Sequence, residues 1–312
     1  MVECPGKIAV IVGPTAVGKT SLAMTVASAF DCEIVSADSM QVYRYMDIGT
    51  AKPTVEERIT IPHHLIDVVD PDEEFNASSY VAKARDSISI IAGRNKRALV
   101  VGGTGLYIRV LLGGILEGPS ADKLLRKRLM DEMAQAGSAG LHARLSVIDP
   151  ATAERLHRND AVRIIRALEV KLLTGESIAE QQGRHRFDDE PYKALILGLA
   201  LERQQLYGLI DSRTEDMFQR GLVDEVNGLL VRGYHGSLKP MQSLCYRPVV
   251  DYLEKRLLLS EAKDIVKNNT RHYARRQITW FKRDKSIEWH APDDTETIHR
   301  KIGSFFDEQT KS

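Results

Sequence analysis

The sequence of 312 residues lacks any long hydrophobic run. No apolar stretch approaches the roughly 20 residues that a membrane-spanning helix needs, so the sequence predicts none. The segment Met1 to Lys7 also lacks the hydrophobic region that a signal peptide carries. We therefore expect a protein that stays in the cytoplasm.

The sequence also has few cysteines and no formal net charge. Cys4, Cys32 and Cys245 lie far apart and form no Cys-x-x-Cys pair, which argues against a zinc site or a disulfide framework. We expect reduced thiols, with Cys32 in the core. Lys plus Arg and Asp plus Glu are both 43, so the formal net charge is +0. Because no global field attracts a polyanion, any nucleic-acid surface must be a local patch.

Short apolar runs that end in small or acidic residues indicate strands of a parallel sheet. They are followed by helical patterns, among them Lys19 to about Phe30 and about Ala77 to Ala92. This alternation predicts an α/β fold of P-loop type, a parallel sheet flanked by helices with its ligand crevice at the carboxyl ends of the strands. The predicted strands are Lys7 to Val12, Glu33 to Ala37, Ala98 to Gly102 and Ala194 to Ala200.

A long stretch without strand signal separates the last two of these runs, which predicts an inserted all-helical domain. Two sets of apolar residues recur there at helical spacing and are interpreted as core stripes: Leu124, Leu125, Leu129 and Met133, and Val162, Ile165, Leu168 and Leu172. We place the insertion at 118–187, between core segments 1–117 and 188–312. Beyond the last strand we expect helices to about Asp284, and the polar tail after Pro292 yields no prediction.

The segment Gly13-Pro14-Thr15-Ala16-Val17-Gly18-Lys19-Thr20 matches the pattern Gly-x-x-x-x-Gly-Lys-Ser/Thr between a strand and a helix. Its backbone N–H groups and the helix N-terminus can surround a diphosphate. Lys19 is expected to reach across two phosphates, and the Thr20 hydroxyl to hold Mg²⁺. A glycine-rich turn that binds nothing is the less favoured alternative.

The neighbouring strand ends do not resemble those of an NTPase. The run Ala98 to Val101 ends in Gly-Gly-Thr, where a Walker-B aspartate would normally hold the magnesium shell. The acid at a strand end is Asp38, which could ligate a metal through water or accept a proton from a nucleophile. The alternative is that Asp38 only caps the following turn.

Several blocks together resemble the tRNA dimethylallyltransferases of bacterial type, and they extend over nearly the whole chain. The blocks are Gly13 to Thr20, Asp38 to Tyr43, Met46 to Pro53, His63 to Asp67, Val101 to Tyr107, Arg166 to Glu169, Gly221 to Val226 and Arg275 to Phe281. The resemblance implies a prenyltransferase that moves a dimethylallyl group from dimethylallyl diphosphate to N6 of adenosine 37 in tRNA, 3′ of the anticodon.

The resemblance also implies roles for particular residues. Asp38 is the expected general base, with Lys19 and Thr20 completing the catalytic set. Arg213 is expected to hold the diphosphate with the Gly13 to Thr20 loop. The implied tRNA contacts are Asp38, Ser39, Met40, Gln41, Thr104, Arg126, Asn159, Asp160, Ala161, Val162, Arg163, Gln242, Ser243, Leu244, Cys245, Tyr246 and Arg247.

The resemblance also implies which molecules the protein binds. We expect the anticodon stem-loop of tRNA, with its adenine flipped out and the helical insertion closing over the loop. The basic, aromatic segment Arg271 to Lys285 is a further candidate for RNA contact. We expect a monomer. Cys245 stands where the family usually has glycine, so a positive φ there would strain the chain, or its side chain would narrow the tRNA contact.

Three other functions share some of these features. A P-loop small-molecule kinase would bind and turn over ATP, and the missing Walker-B acid counts against it. An adenylate isopentenyltransferase would use the same donor with free AMP, ADP or ATP as acceptor. A non-catalytic RNA-binding module would have no need for an intact phosphate loop beside Asp38.

Overall fold

The computed structural model describes residues 6–115, 119, 122–185 and 191–308. The chain forms two compact units, one of Met1–Leu112 with Glu190–Ser312 and one of Gly113–Asp189. The domain boundaries predicted from the sequence, at 117/118 and 187/188, lie outside the described residues.

The larger unit contains a parallel six-stranded sheet in the order β3-β2-β4-β1-β5-β6. This confirms the predicted fold class. The strands are β1 (Gly6–Val12), β2 (Cys32–Ala37), β3 (His63–His64), β4 (Arg97–Gly102), β5 (Tyr192–Leu199) and β6 (Glu288–His290).

Helices of the larger unit surround this sheet. They are α1 (Lys19–Ala29), α2 (Val55–Thr60), α3 (Ala77–Gly93), α4 (Gly105–Gly113), α9 (Arg203–Gln219), α10 (Leu222–Val231), α11 (Tyr246–Leu253), α12 (Leu259–Phe281) and α13 (Thr295–Asp307). The last residue of α4, Gly113, belongs to the smaller unit.

Burial of both faces explains why β1 reads as a continuous apolar run. Ile8 to Val12 are at most 1% exposed, and Cys32 lies in the core as predicted, at 2%. Val12 pairs with Gly102 on one side and with Gly198 on the other. Because the strands are parallel and in register, the residues that follow them meet at one edge of the sheet.

The described residues of the smaller unit form helices joined by turns and no strand: α5 (Lys123–Ile148), α6 (Pro150–Arg155), α7 (Ala161–Thr174) and α8 (Ile178–His185). Gly137 interrupts α5 with φ 69. Leu129, Leu145 and Leu168 are buried in its core. The prediction that Leu124, Val162 and Leu172 belong to that core is wrong, because they are 72%, 79% and 43% exposed.

The sequence reading also missed order near the end of the chain. Helix α13 lies in the tail that gave no prediction, and it buries Ile298, Ile302 and Phe305, which recur at helical spacing. The adjacent histidines form the edge strand β3, where His64 Nε2 lies 2.7 Å from Glu33 Oε2. No helix among the described residues is both long and apolar enough to span a membrane.

Candidate active site

The phosphate loop links β1 to α1 through three residues with positive φ. Gly13 has φ +147, Ala16 has φ 66 and Gly18, at the N-cap of α1, has φ 98. A Cβ on Gly13 would lie 2.7 Å from the Leu199 carbonyl oxygen, so the close packing of the loop on β5 requires glycine. Within the described part of the chain no side chain caps α1. Its first N–H groups are therefore available to an anion.

Lys19 lies folded against this loop. Its Nζ donates hydrogen bonds to the carbonyl oxygens of Gly13 at 3.0 Å and Pro14 at 2.7 Å. Burial lowers the pKa of Lys19 to about 7; nearby Asp38 raises this pKa and Arg213 lowers it. A bound diphosphate would favour the charged amine. The fraction of Lys19 amines that carry a charge would therefore rise when an anion binds.

Arg213 on α9 reaches the same loop from the opposite side. Its Nη1 donates to Thr15 Oγ1 at 3.2 Å. Burial lowers the pKa of the guanidinium, while Cys245, Asp38 and Asp216 raise it. Arg213 therefore lies beside the loop, with its guanidinium in the cavity wall; that it holds a diphosphate stays a prediction.

Asp38 follows β2, and one of its two carboxylate oxygens caps the next turn. Its Oδ1 accepts the N–H groups of Met40 at 2.8 Å and Gln41 at 3.3 Å. No hydrogen bond reaches Oδ2 from any residue that the structure describes. Asp38 thus caps the turn through Oδ1, and Oδ2 is left to accept a proton.

The remaining strand-end residues are tied to one another. Thr104 Oγ1 accepts the N–H of Ser39 at 3.0 Å, which joins the turn after β4 to the turn after β2. The Gln41 side chain accepts from Ser36 Oγ and donates to the carbonyls of Thr50 and Ala51. Gln41 is therefore occupied in holding the loop, whereas Thr104 lies directly beside the candidate base.

Two adjoining cavities lie beside the phosphate loop and Asp38. The first, about 290 Å³, lies along the phosphate loop and includes Lys19, Thr20 and Gln41. The second, about 280 Å³, has an apolar wall. Thr15, Asp38, Thr50 and Arg213 line both cavities. The apolar wall consists of Ile210, Met217, Leu244, Cys245 and Tyr246.

Of the predicted tRNA-binding segment Gln242 to Arg247, residues 242–246 form one side of the second cavity, and Arg247 does not line it. Tyr246 is 1% exposed, and its hydroxyl donates to Glu225 Oε1 at 2.6 Å. Cys245 has φ −94, so the strain that a positive φ would cause is excluded, and a narrowed tRNA contact stays a prediction. Burial raises the pKa of the Cys245 thiol to about 11. The thiol is a neutral part of the wall.

Three side chains of this site lie in segments that the sequence analysis quoted, but the sequence assigned them no role in this cavity. The Glu225 carboxylate accepts the N–H groups of residues 47, 48 and 49 at 2.9, 2.7 and 3.1 Å, which fixes the loop that leads to Thr50. Tyr273 lines the second cavity beside Thr104, and burial raises the pKa of its hydroxyl. Gln277 contacts the phosphate loop. The spacing of Thr270, Tyr273 and Gln277 along α12 is the signal that marks a shared helical face.

A basic groove lies on another face of α12. Trp280 packs against Gly105, where a Cβ would overlap the indole ring. Arg271 does not line this groove, and its guanidinium is paired with Asp211 on α9. The groove residues are His272, Arg275, Arg276, Thr279, Trp280 and Arg283.

The other predicted tRNA contacts lie in the smaller unit. Asp160 caps α7 by accepting the N–H of Arg163, whose guanidinium also pairs with the Asp160 carboxylate at 2.8 Å. Asn159 and Val162 are exposed, and Ala161 begins the helix. The Arg126 guanidinium donates to the buried Glu169 carboxylate at 2.8 Å.

Comparison with known proteins identifies relatives that all belong to one family. A family model described as IPP transferase matches residues 41–284, and one described as isopentenyl transferase matches residues 6–66. The chain is 50% identical to tRNA dimethylallyltransferase 2 of Syntrophus aciditrophicus over 299 residues, 96% of each chain. It is 50% identical to tRNA dimethylallyltransferase of Geobacter sulfurreducens over 91% of each.

Solved structures agree in fold. The full-length tRNA isopentenylpyrophosphate transferase of Bacillus halodurans is 38% identical, with a TM-score of 0.72 and 97% of each chain covered. A eukaryotic dimethylallyltransferase described as acting on tRNA is 28% identical, with a TM-score of 0.82; the match covers 95% of this chain and 78% of that one. On the family match, the relatives and the fold, this chain belongs to the tRNA dimethylallyltransferase family, a family of prenyltransferase enzymes.

Proposed function

We propose that this enzyme transfers a dimethylallyl group from dimethylallyl diphosphate to N6 of the adenosine 3′ of the anticodon in tRNA, releasing diphosphate. The observation that carries the proposal is that Asp38 and Arg213 line both a phosphate-loop cavity and an adjoining cavity with an apolar wall. A diphosphate, a short prenyl chain and a purine could thus meet beside one carboxylate.

The diphosphate is proposed to lie on the N–H groups of residues 16–20. Lys19 and Arg213 would neutralise the charge that develops on the leaving group as the bond from carbon to oxygen breaks. Such preorganised donors stabilise a transition state more than a ground state. The allylic carbon can carry positive charge, and the apolar wall of the second cavity excludes water that would otherwise capture it.

A divalent metal, proposed to be Mg²⁺, fits this chemistry. Thr20 offers an exposed hydroxyl and Asp38 a carboxylate in the same cavity, and both are the hard oxygen ligands that Mg²⁺ prefers. The described residues contain no cluster of three or more His, Cys, Asp or Glu side chains that could hold an ion. The ion would share its shell among Thr20, diphosphate oxygens and water, and Asp38 would contact it only through water. When bound, it neutralises diphosphate charge.

Asp38 is proposed as the general base. The lone pair of an exocyclic adenine amine is delocalised into the ring, so proton removal at N6 assists its attack on the allylic carbon. The Oδ1 hydrogen bonds from the N–H groups of residues 40 and 41 orient the carboxylate, and Oδ2 would accept the proton. The hydrogen bond from the Ser39 N–H to Thr104 Oγ1 holds the turn after β2 against the turn after β4.

The acceptor is proposed to be the anticodon stem-loop, because its unpaired adenine can be flipped out at a cost of only a few kcal/mol. The basic groove of α12 would bind loop phosphates, with Trp280 available for stacking. Asn159 to Arg163 and Arg126 are proposed as contacts made by the smaller unit. Activity as a monomer in the cytoplasm remains a prediction.

A transfer assay tests this function. Radiolabelled dimethylallyl diphosphate and Mg²⁺ are supplied with unmodified tRNA, with the same tRNA in which guanosine replaces the adenosine 3′ of the anticodon, or with AMP. We expect label only in the first tRNA. Label on AMP would indicate an adenylate isopentenyltransferase. Absence of transfer, together with hydrolysis of ATP supplied in a parallel reaction, would indicate a kinase.

A further inference from the structure

Gln277 on α12 has both ends of its amide occupied by backbone groups of the two site loops. Its side chain is 5% exposed. Oε1 accepts the N–H of Thr15 in the phosphate loop at 2.9 Å, and Nε2 donates to the carbonyl oxygen of Gly103 after β4, also at 2.9 Å. A buried amide paired at both ends fixes the separation of the two groups that it joins.

The first contact shapes the anion site. Because the Thr15 N–H is used by Gln277, the loop offers a diphosphate the N–H groups from Ala16 onward. The Thr15 hydroxyl is held from the other side by Arg213 at 3.2 Å. Thr15 is thus fixed at two atoms before any ligand arrives.

The second contact leads to the candidate base. Gly103 precedes Thr104, whose Oγ1 accepts the N–H of Ser39, the residue after Asp38. A Cβ on Gly103 would overlap Gln277 Nε2, so glycine at this position leaves room for the amide. Hydrogen bonds, together with the covalent links within Thr15 and between Gly103 and Thr104, therefore connect Arg213 through Gln277 to the turn that carries Asp38.

We propose that Gln277 is a positioning residue that sets the separation between the diphosphate cradle and the general base. The chemistry of its side chain suits this role. A carboxylate in its place would repel the Gly103 carbonyl and the diphosphate, and an amine could not accept the Thr15 N–H. The amide supplies one donor and one acceptor without adding charge. This inference rests on the proposed prenyl transfer.

Gln277→Met tests the bridge while keeping the length of the side chain. Two lost hydrogen bonds predict that inhibition by inorganic diphosphate weakens about tenfold and that kcat falls about tenfold. The matched control is Gln205→Met at an exposed position of α9, which should leave both values unchanged. Thermal denaturation of both variants verifies that they are folded.

A double-mutant cycle gives the decisive result. Gly103→Ala displaces the amide by overlap, and Gln277→Ala removes it, so both break the same bridge. We expect the double variant to lose no more kcat/KM than the worse single variant. Losses that multiply, or a Gln277→Met enzyme with wild-type kinetics, would overturn the proposal. A wild-type enzyme without transfer activity would instead overturn the proposed function.

Discussion

Replacing Asp38 separates its role as a cap from its role as a base. Oδ1 accepts two backbone N–H groups at 2.8 and 3.3 Å, whereas Oδ2 has no partner among the described residues. Asp38→Asn retains an oxygen acceptor of the same geometry but cannot take a proton. Asp38→Ala loses both functions.

The two variants should therefore differ in stability and agree in activity. Loss of a cap costs about 0.5–2 kcal/mol, which corresponds to a melting temperature lower by roughly 2–4 °C per kcal/mol in a protein of this size class. We expect this decrease for Asp38→Ala and almost none for Asp38→Asn. Loss of a general base lowers turnover by about 10²–10⁴-fold, and we expect this in both.

Single-turnover transfer under saturating tRNA and dimethylallyl diphosphate measures the chemical step without product release. Differential scanning calorimetry gives the melting temperatures. An Asp38→Asn enzyme with turnover within about threefold of wild type would refute the base assignment and leave Asp38 as a cap.

Other predictions concern charge. Arg213→Met should lower kcat by about 10²–10³-fold by removing a donor to the leaving group, measured in the same assay; a change confined to the KM for tRNA would contradict this role. Because the folded-state pKa of Lys19 is lowered to about 7 from 10.5, the unfolded chain binds more protons between these values. Wild type should therefore gain stability relative to Lys19→Met as pH rises from 7 to 10, measured by urea unfolding, whereas parallel pH profiles would argue against it. Arg275→Gln with Arg283→Gln should weaken tRNA binding and flatten its salt dependence by about one unit of slope per lost phosphate contact; an unchanged slope would remove the groove from the interface.

The sequence predicted the sheet and the phosphate loop because both depend on local signals. Continuous apolar runs and the Gly13 to Thr20 spacing report directly on buried strands and on a turn between strand and helix. Asp38 and Thr104 could be placed near the loop because parallel strands end at one edge. Their hydrogen-bond link through Ser39 needed the structure.

The missed features depend on contacts between distant segments. Gln277 lies 262 residues from Thr15, and Glu225 lies more than 170 residues from the loop that it fixes. No local pattern reports such pairs. Val162 was assigned to the core on periodicity alone, although the same spacing also fits an exposed edge of an amphipathic helix. Helix α13 was missed for the opposite reason, since its polar composition concealed three apolar residues at helical spacing.

The most direct test of the account is a structure of the enzyme with a non-hydrolysable dimethylallyl diphosphate analogue and an anticodon stem-loop. The account predicts the diphosphate on the N–H groups of residues 16–20 and adenine N6 within about 2.6–3.2 Å of Asp38 Oδ2, or one water away. An adenine amine beyond that reach, or a diphosphate bound away from the loop, would contradict it.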